Sequence, residues 1–208
     1  MAITNGYTTL ALLKARMAIP SATTTYDTQL EAVITTASRV IDADTERQFY
    51  LTSDTRYYTA DNPLSLFISD DIQTVTSLET LSSSSGGIRT YGYSWQSYEY
   101  DLEPDNGPPY TRVIAVGTSR YVFPYERRGV KITGTFGYCS INNVPFAIQE
   151  ACLLLAQRYY ERSKSPMGMI GGGDMTEAVR ISKVDPDYVS LIADFKKILM
   201  IPTASWGA

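Results

Sequence analysis

The stretch from Val130 to Arg162 constrains the fold more than any other part of the chain. Its first seven residues alternate between two kinds of side chain, apolar or small and polar, which is the period of two typical of a strand covered on one face. Gly137 ends this pattern, and Pro145 stands where the first turn of a helix tolerates a residue without an N–H. A helix of about five turns is expected to follow. The sequence therefore predicts a strand and a long helix joined at a sharp corner.

Helical periodicity also occurs before this corner. Thr8 or Thr9 can cap a short helix that Pro20 terminates, because the residue before a proline is disfavoured in the helical conformation. Asp27 is expected to cap a longer helix whose apolar residues recur at helical spacing and which ends near residues 45–49. Both segments predict helices at the start of the chain.

After the corner, a glycine-rich segment at 168–174 is interpreted as a mobile loop. Asp185 and Pro186 predict the start of a last helix, since aspartate caps free N–H groups and proline fits the first turn. The apolar residues of this helix recur as far as Leu199. The tail that follows has no predicted structure, although it contains the large aromatic residue Trp206.

Between these helical regions, residues 51–139 lose the helical period. Short segments rich in β-branched and aromatic residues alternate there with clusters of turn-forming residues, which is typical of an all-β unit. We predict an α+β fold with a helical base of about four helices from both chain ends (1–50 and 140–208), an inserted antiparallel β domain (51–139) and a flexible C-terminal tail (200–208). The expected strands are Arg56–Thr59, Leu64–Ile68, Val75–Leu81, Tyr91–Trp95, Tyr98–Leu102, Thr111–Val116 and Val130–Phe136.

Composition argues against several classes of function. A chain of 208 residues that is 44% apolar can bury a substantial core. Its formal net charge of −4 argues against a protein that grips nucleic acid through clustered Lys and Arg. We find neither a secretory leader nor an apolar run of roughly 20 residues, so a chain with no membrane partner is expected.

The chain has no histidine, which removes the commonest general base and the usual serine and cysteine protease sites. Cys139 and Cys152 lack the spacing of a redox or metal motif. They are expected to be buried free thiols, with a disulfide or a reactive nucleophile as the alternatives.

Acidic residues give no convincing site. The loop from Asp101 resembles a calcium loop in its alternating acids, but it lacks the required sixth-position glycine and closing glutamate, and a turn between strands is favoured. The remaining acidic groups are Asp70 with Asp71, and Asp42, Asp44 and Glu46. They are interpreted as solvated surface, because neighbouring acids on a strand point to opposite faces. We therefore expect no catalytic residue, no metal and no cofactor.

One aromatic cluster suggests a ligand. Tyr91, Tyr93 and Trp95 fall on one face of a predicted strand, where they would form a platform for stacking sugars or bases. Ordinary packing of aromatic residues across strands is the alternative, and no basic residue flanks the cluster to hold a phosphate backbone. A carbohydrate-binding or glycan-active β-module is therefore one hypothesis for function.

The predicted main helix has a wider apolar surface than one core face requires. Leu153 and Leu154 point away from the stripe that includes Ile148 and Cys152. A helix that is apolar on more than one side is buried on more than one side, either inside its own domain or against a neighbouring subunit. We therefore predict a subunit interface at Leu153, Leu154 and Arg158.

The order of the pieces along the chain is also informative. The most distinctive part is the segment from Thr133 to Tyr138, Thr-Gly-Thr-Phe-Gly-Tyr, followed by Val144-Pro145. This pattern, over most of the chain, resembles the head–tail connector, or adaptor, family of tailed bacteriophages, although the β segment is longer than in the smallest members. The other segments that carry the resemblance are Tyr26-Asp27 with Leu30, Ala37-Ser38, Ile41-Asp42, Tyr100–Pro104, Val130–Ile132, Ile148 with Ala151, and Asp185-Pro186-Asp187.

The resemblance implies a structural virion protein rather than an enzyme. Members form a ring, usually of twelve copies, that docks beneath the portal, extends the DNA channel and offers a platform for a stopper or tail-completion protein. DNA would pass through the lumen without sequence-specific binding. The C-terminal tail of such proteins commonly reaches the portal, which implies a portal-binding role for Ile201, Pro202 and Trp206. The expected location is the neck of the virion, after assembly in the host cytoplasm.

Overall fold

The computed structural model describes residues 3–117, 120–164, 169–170, 179–180 and 185–197. The chain divides into two compact units, a helical unit (Met1–Arg47 with Pro145–Ala208) and a sheet unit (Gln48–Val144). The fold is α+β, as the sequence predicts. The helices are α1 (Leu10–Arg16), α2 (Asp27–Thr45), α3 (Phe146–Lys164) and α4 (Pro186–Ala193), with a short 3-10 helix at Ile141–Asn143. The strands are β1 (Thr52–Tyr58), β2 (Ser65–Ser85), β3 (Ile88–Ser94), β4 (Tyr100–Glu103), β5 (Tyr110–Ala115), β6 (Val130–Phe136), β7 (Met169–Ile170) and β8 (Val179–Arg180).

The first two helices begin differently from each other. Thr9 caps α1 through a hydrogen bond that its Oγ1 accepts from the backbone N–H of Leu12 at 3.3 Å. The expectation that Asp27 caps α2 is wrong: Asp27 is the first helical residue, and Tyr26 precedes it without a side-chain cap. The Asp27 carboxylate instead pairs with Lys14 of α1. It still lies where a negative charge favours the helix dipole.

The helical unit is built around the packing of α2 against α3. Ser38 of α2 and Cys152 of α3 meet at the centre, where Oγ and Sγ are 3.4 Å apart. Both helices bury residues spaced three or four apart, because that spacing repeats one face of a helix. The buried apolar residues of this pair are Leu30, Ile34, Ala37 and Ile41 on α2 and Ile148, Ala151, Cys152, Leu155, Ala156 and Tyr160 on α3.

The last helix also begins as its sequence predicts. Asp185 caps α4 by accepting the N–H of Asp187 at 3.0 Å, and Pro186 occupies the first turn. The helix ends at Ala193, so the predicted stripe stops earlier than expected; Phe195 follows the helix, and Leu199 lies outside the described residues. Within the described part of the chain, no helix is long and apolar enough to span a membrane.

The sheet unit contains one antiparallel sheet with the strand order β1-β6-β2-β5-β4, and β3 pairs with the second half of β2. The core lies on one face of β6, where Val130, Ile132 and Phe136 are fully buried and alternate with half-buried Lys131 and Thr133. This alternation is the period of two predicted for β6.

Strand β2 runs without a break where the sequence predicts two strands, Leu64–Ile68 and Val75–Leu81. Its first part pairs with β5 and its middle part with β6, and Ile72 pairs with both. The Asp70 carboxylate accepts the Tyr58 hydroxyl at 2.9 Å and pairs with Arg56 at 3.1 Å. Asp71 is 4% exposed, so its interpretation as solvated surface is wrong, whereas the Asp70 side chain is 37% exposed.

A glycine allows β6 to lie close against β2. Gly134 of β6 lies against the backbone of Thr74 on β2, and a Cβ added at Gly134 would overlap the Thr74 carbonyl oxygen. Gly137 follows at φ +133°, a conformation that favours glycine, and its N–H donates to the carbonyl of Asp71 at 2.8 Å. The Thr-Gly-Thr-Phe-Gly segment is therefore determined by backbone packing.

Candidate functional site

The outward surface of α3 carries exposed apolar area. The sequence-predicted interface residues Leu153, Leu154 and Arg158 are all half-buried. Phe146, at the start of the helix, is 86% exposed. It lies within about 20° of Leu153 around the helix axis, on the side opposite buried Ile148. Phe146 was not predicted as an interface residue, although its spacing of seven from Leu153 indicates a shared face.

Helix α1 attaches to α3 beside one of the two leucines. Arg16 Nε donates to Gln157 Oε1 at 3.1 Å, and its guanidinium also pairs with the Glu150 carboxylate. Glu150 and Gln157 stand three residues before and four residues after Leu153, so they flank it on the helix surface. Leu154 points about 100° away from Leu153. Arg16 therefore ties α1 to the Leu153 side of α3.

The predicted portal-binding residues lie outside the described residues; they are Ile201, Pro202 and Trp206. Most of the glycine-rich segment also lies outside the described residues.

Trp95 does not contribute to an exposed platform. Its side chain is 5% exposed, its indole N–H donates to Thr80 Oγ1 at 3.1 Å, and its ring stacks on Phe123 with centroids 4.7 Å apart. β3 ends at Ser94, and the backbone N–H of Trp95 still donates to the Leu78 carbonyl at 2.9 Å. The pairing of β2 with β3 shifts register between Tyr93 and Tyr91, so strict alternation is broken within the predicted platform. Trp95 is a core residue of the sheet unit.

Tyr91 and Tyr93 lie outside this core, and cations accompany both. Tyr91 packs against Tyr57 of β1 with centroids 5.5 Å apart, and its hydroxyl donates to the Arg128 carbonyl at 2.7 Å. The Arg128 guanidinium lies 4.5 Å from the Tyr57 ring centroid, and Lys131 Nζ lies 5.9 Å from that of Tyr91. These distances fall within the range of cation–π contacts.

Tyr93 has a similar arrangement. Its ring lies 5.2 Å from that of Tyr121, and the guanidinium of Arg120 lies 5.4 Å from the Tyr121 centroid. We call the six residues Tyr57, Tyr91, Tyr93, Tyr121, Arg120 and Arg128 the Arg–Tyr surface. The expectation that no basic group flanks these aromatic residues is wrong, because the fold brings Arg120 and Arg128 to them from later in the chain.

The β4 edge of the sheet carries exposed acidic residues. Asp101 is exposed on β4, the last strand in the sheet order, and Asp105 is exposed in the loop that follows. Glu103 pairs with Arg112 of β5 at 3.5 Å, across the β4–β5 hairpin. Among the described residues, no group of three or more Asp, Glu, Cys or His side chains is arranged to hold a metal ion.

The acids of α2 have structural partners. Asp42 accepts the Tyr7 hydroxyl and pairs with Arg39 at 3.2 Å. Burial raises the pKa of the Asp42 carboxyl above its ordinary value, although Tyr7 and Arg39 act to lower it. Asp44 accepts the Tyr188 hydroxyl at 2.7 Å. Asp44 and Glu46 are exposed, as the interpretation of solvated surface expects, whereas Asp42 is half-buried. Through these hydrogen bonds Asp42 attaches the N-terminal segment to α2, and Asp44 attaches α4 to it.

Both cysteines are free, and burial raises the pKa of each thiol to about 11. Cys152 is fully buried and Cys139 is half-buried. A thiol with such a raised pKa is protonated at neutral pH and reacts poorly as a nucleophile. The expectation of free thiols is confirmed, with Cys139 less buried than predicted.

This combination of helices from both chain ends with an inserted antiparallel sheet also occurs in solved virus-like particles. A chain from the neck of an empty gene transfer agent particle, computed with C6 symmetry, matches with a TM-score of 0.62 and 18% identity, over 97% of this chain and 95% of that chain. A chain from the neck of the native particle, computed with C12 symmetry, matches over the same shares with a TM-score of 0.56 and 18% identity. A chain from the virion of a native gene transfer agent particle matches with a TM-score of 0.59 and 20% identity, again over 97% and 95%.

At these identities the likeness establishes a shared fold. No family profile matches the sequence, and no curated protein matches it either. The fold is thus that of chains found in the neck of gene transfer agent particles.

Proposed function

We propose that this chain is a head–tail connector, or adaptor, subunit of a tailed-phage-like particle, a structural virion protein located in the neck. The observation that carries the proposal is the fold, which 97% of the chain shares with a neck chain at a TM-score of 0.62. The C12 symmetry used for one of these necks supports a ring of twelve copies. The absence of histidine agrees with a role that needs no catalytic residue.

In this role the ring docks beneath a portal protein, extends the DNA channel and supports a stopper or tail-completion protein. The net charge of −4 suits a surface that DNA passes without being gripped. The tail residues Ile201, Pro202 and Trp206 would contact the portal, as the connector family implies. Deleting residues 203–208 is then expected to leave the fold intact and to weaken binding to the portal.

The outward face of α3 is the proposed subunit contact in the helical unit. Phe146 supplies the largest exposed ring, and Leu153, Leu154 and Arg158 extend the surface along the helix. Apolar side chains and arginine are the groups that interfaces between subunits favour. Since Arg16 ties α1 to the Leu153 side, Leu154 and Arg158 are the members more available to a neighbour.

The test is the mass of the assembly, measured by native mass spectrometry on the chain alone and after mixing with a portal ring. A ring in either condition supports the proposal, and a strict monomer in both contradicts it. Phe146→Ser should leave the melting temperature nearly unchanged, because the side chain is 86% exposed, and should weaken ring formation. Leu12→Ser, at an exposed position of α1, is the matched control.

A further inference from the structure

The charged side chains of the sheet unit are segregated. No carboxylate among the described residues forms an ion pair with Arg120 or Arg128, and both arginines are exposed. Asp101 and Asp105 are likewise exposed and pair with no cation in the described part of the chain. The arginines belong to the Arg–Tyr surface, whereas the aspartates lie on β4 and the loop after it. Opposite charges that could neutralise one another are thus kept apart within one subunit.

The two surfaces are formed by different strands, and within the Arg–Tyr surface Tyr91 and Tyr93 lie on β3, which pairs with β2 outside the main strand order. Tyr57, which Arg128 covers, is on β1, the first strand in the order β1-β6-β2-β5-β4. Asp101 is on β4, the last strand of that order. Tyr98 lies two residues before the start of β4 and is 75% exposed. We call Tyr98, Asp101 and Asp105 the acidic edge.

A ring requires two different surfaces on each subunit, because every copy contacts one neighbour with each. The Arg–Tyr surface and the acidic edge meet this requirement: they differ, carry opposite charges and each present exposed tyrosine. Arginine and tyrosine are enriched at interfaces between proteins. Opposite charges across such an interface set the register and disfavour the wrong pairing.

We propose that the Arg–Tyr surface of one subunit binds the acidic edge of the next copy of this chain, as a second ring contact in addition to that of α3. This inference rests on the proposed function, since it assigns a surface within the ring. Nucleic acid is disfavoured as the occupant. The rings of Tyr57 and Tyr121 are already covered by guanidinium groups and by neighbouring tyrosines, which leaves little free face for stacked bases.

Charge reversal tests the pairing. Arg120→Glu with Arg128→Glu should raise the apparent dissociation constant of the ring by about tenfold or more, and Asp101→Lys with Asp105→Lys should do the same. An equimolar mixture of the two double variants should restore assembly. Each reversed Arg–Tyr surface would then face a reversed acidic edge, and the copies would alternate around the ring. Native mass spectrometry resolves alternating rings by their masses.

The control is Arg89→Glu with Lys196→Glu, which changes the net charge as much as the arginine reversal does, at exposed positions outside both surfaces and outside α3. It should assemble like the wild type. Thermal melts establish that each variant is folded before assembly is compared.

The outcomes separate the two proposals. A wild type that forms no ring, alone or with a portal ring, overturns the proposed function together with this contact. A wild type and reversed variants that all form rings equally well overturn this contact alone. Normal rings combined with a loss of double-stranded DNA retention in the arginine variant would also overturn it, and would assign the surface to nucleic acid.

Discussion

The ammonium of Lys14 lies 2.5 Å from Asp27 Oδ1, and this pair joins the first two helices of the chain. Lys14 is 5% exposed. Its ammonium also donates to the carbonyls of Ser21 and Thr23 at 3.4 and 2.8 Å, so it binds both the connecting loop and the start of α2. A buried lysine that satisfies its donors in this way fixes the angle between α1 and α2.

The two members of this pair should respond differently to mutation. Asp27→Ala leaves the Lys14 charge buried and should lower the free energy of unfolding by about 3 kcal/mol. Lys14→Met leaves a carboxylate that still reaches water, since its side chain is 25% exposed, and should cost only about 1 kcal/mol. Urea unfolding followed by far-UV circular dichroism gives both values. Equal costs, or a larger cost for Lys14→Met, would show that the ammonium is not held by Asp27.

Gly134→Ala should disrupt the sheet unit. The new Cβ would overlap the carbonyl of Thr74, which is backbone and can move only if β2 separates from β6. A loss of about 3 kcal/mol or more, or failure to fold, is expected. Gly117→Ala is the matched control, because among the described residues no atom beyond its chain neighbours lies within 4 Å of an added Cβ there. Thermal melts compare the two, and similar melting temperatures would refute the close approach of β2 and β6.

The sequence predicts those parts of the fold whose signals are local. The alternation along β6 and the Asp185-Pro186 start of α4 both appear where their patterns place them, because each depends on residues a few positions apart. The continuity of β2 through Asp70 and Asp71 is different. Asp70 is stabilised by Arg56 and Tyr58, so its polar character was misinterpreted as the end of a strand. Only the folded sheet brings those partners together.

The candidate site likewise combines residues that a local sequence pattern predicts with residues that only the folded chain brings together. Tyr91 and Tyr93 were found because they alternate within one strand, but Trp95 lies beyond the end of that strand and packs inward. Arg120 and Arg128 come from a different part of the chain, so no local pattern could associate them with these tyrosines. Surfaces assembled from separate strands depend on pairing register, which the sequence alone does not specify.

Trp95→Ala tests whether this residue is core or platform. The substitution removes a buried ring stacked on Phe123 and should cost about 3–5 kcal/mol of unfolding free energy. Tyr98→Ala, at a position 75% exposed, should change stability by less than about 0.5 kcal/mol. Chemical unfolding followed by far-UV circular dichroism measures both. Unchanged stability of Trp95→Ala with loss of binding on a glycan array would instead restore the carbohydrate-binding hypothesis.

The buried thiol of Cys152 should make stability fall in mildly alkaline solution. Burial raises its pKa in the folded protein to about 11, whereas an unfolded chain releases the same proton near pH 8.5. The folded state therefore binds more protons between these values, and the free energy of unfolding decreases as pH rises through that window. The expected loss from Cys152 by pH 9.5 is about 1 kcal/mol. Tyrosines also begin to ionise there, so the comparison with Cys152→Ala isolates the contribution of this thiol. Cys152→Ala should have a flatter profile between pH 7.5 and 9.5 than the wild type, in urea titrations at about half-unit steps of pH. Parallel profiles would show that this thiol ionises as readily in the folded chain as in the unfolded one.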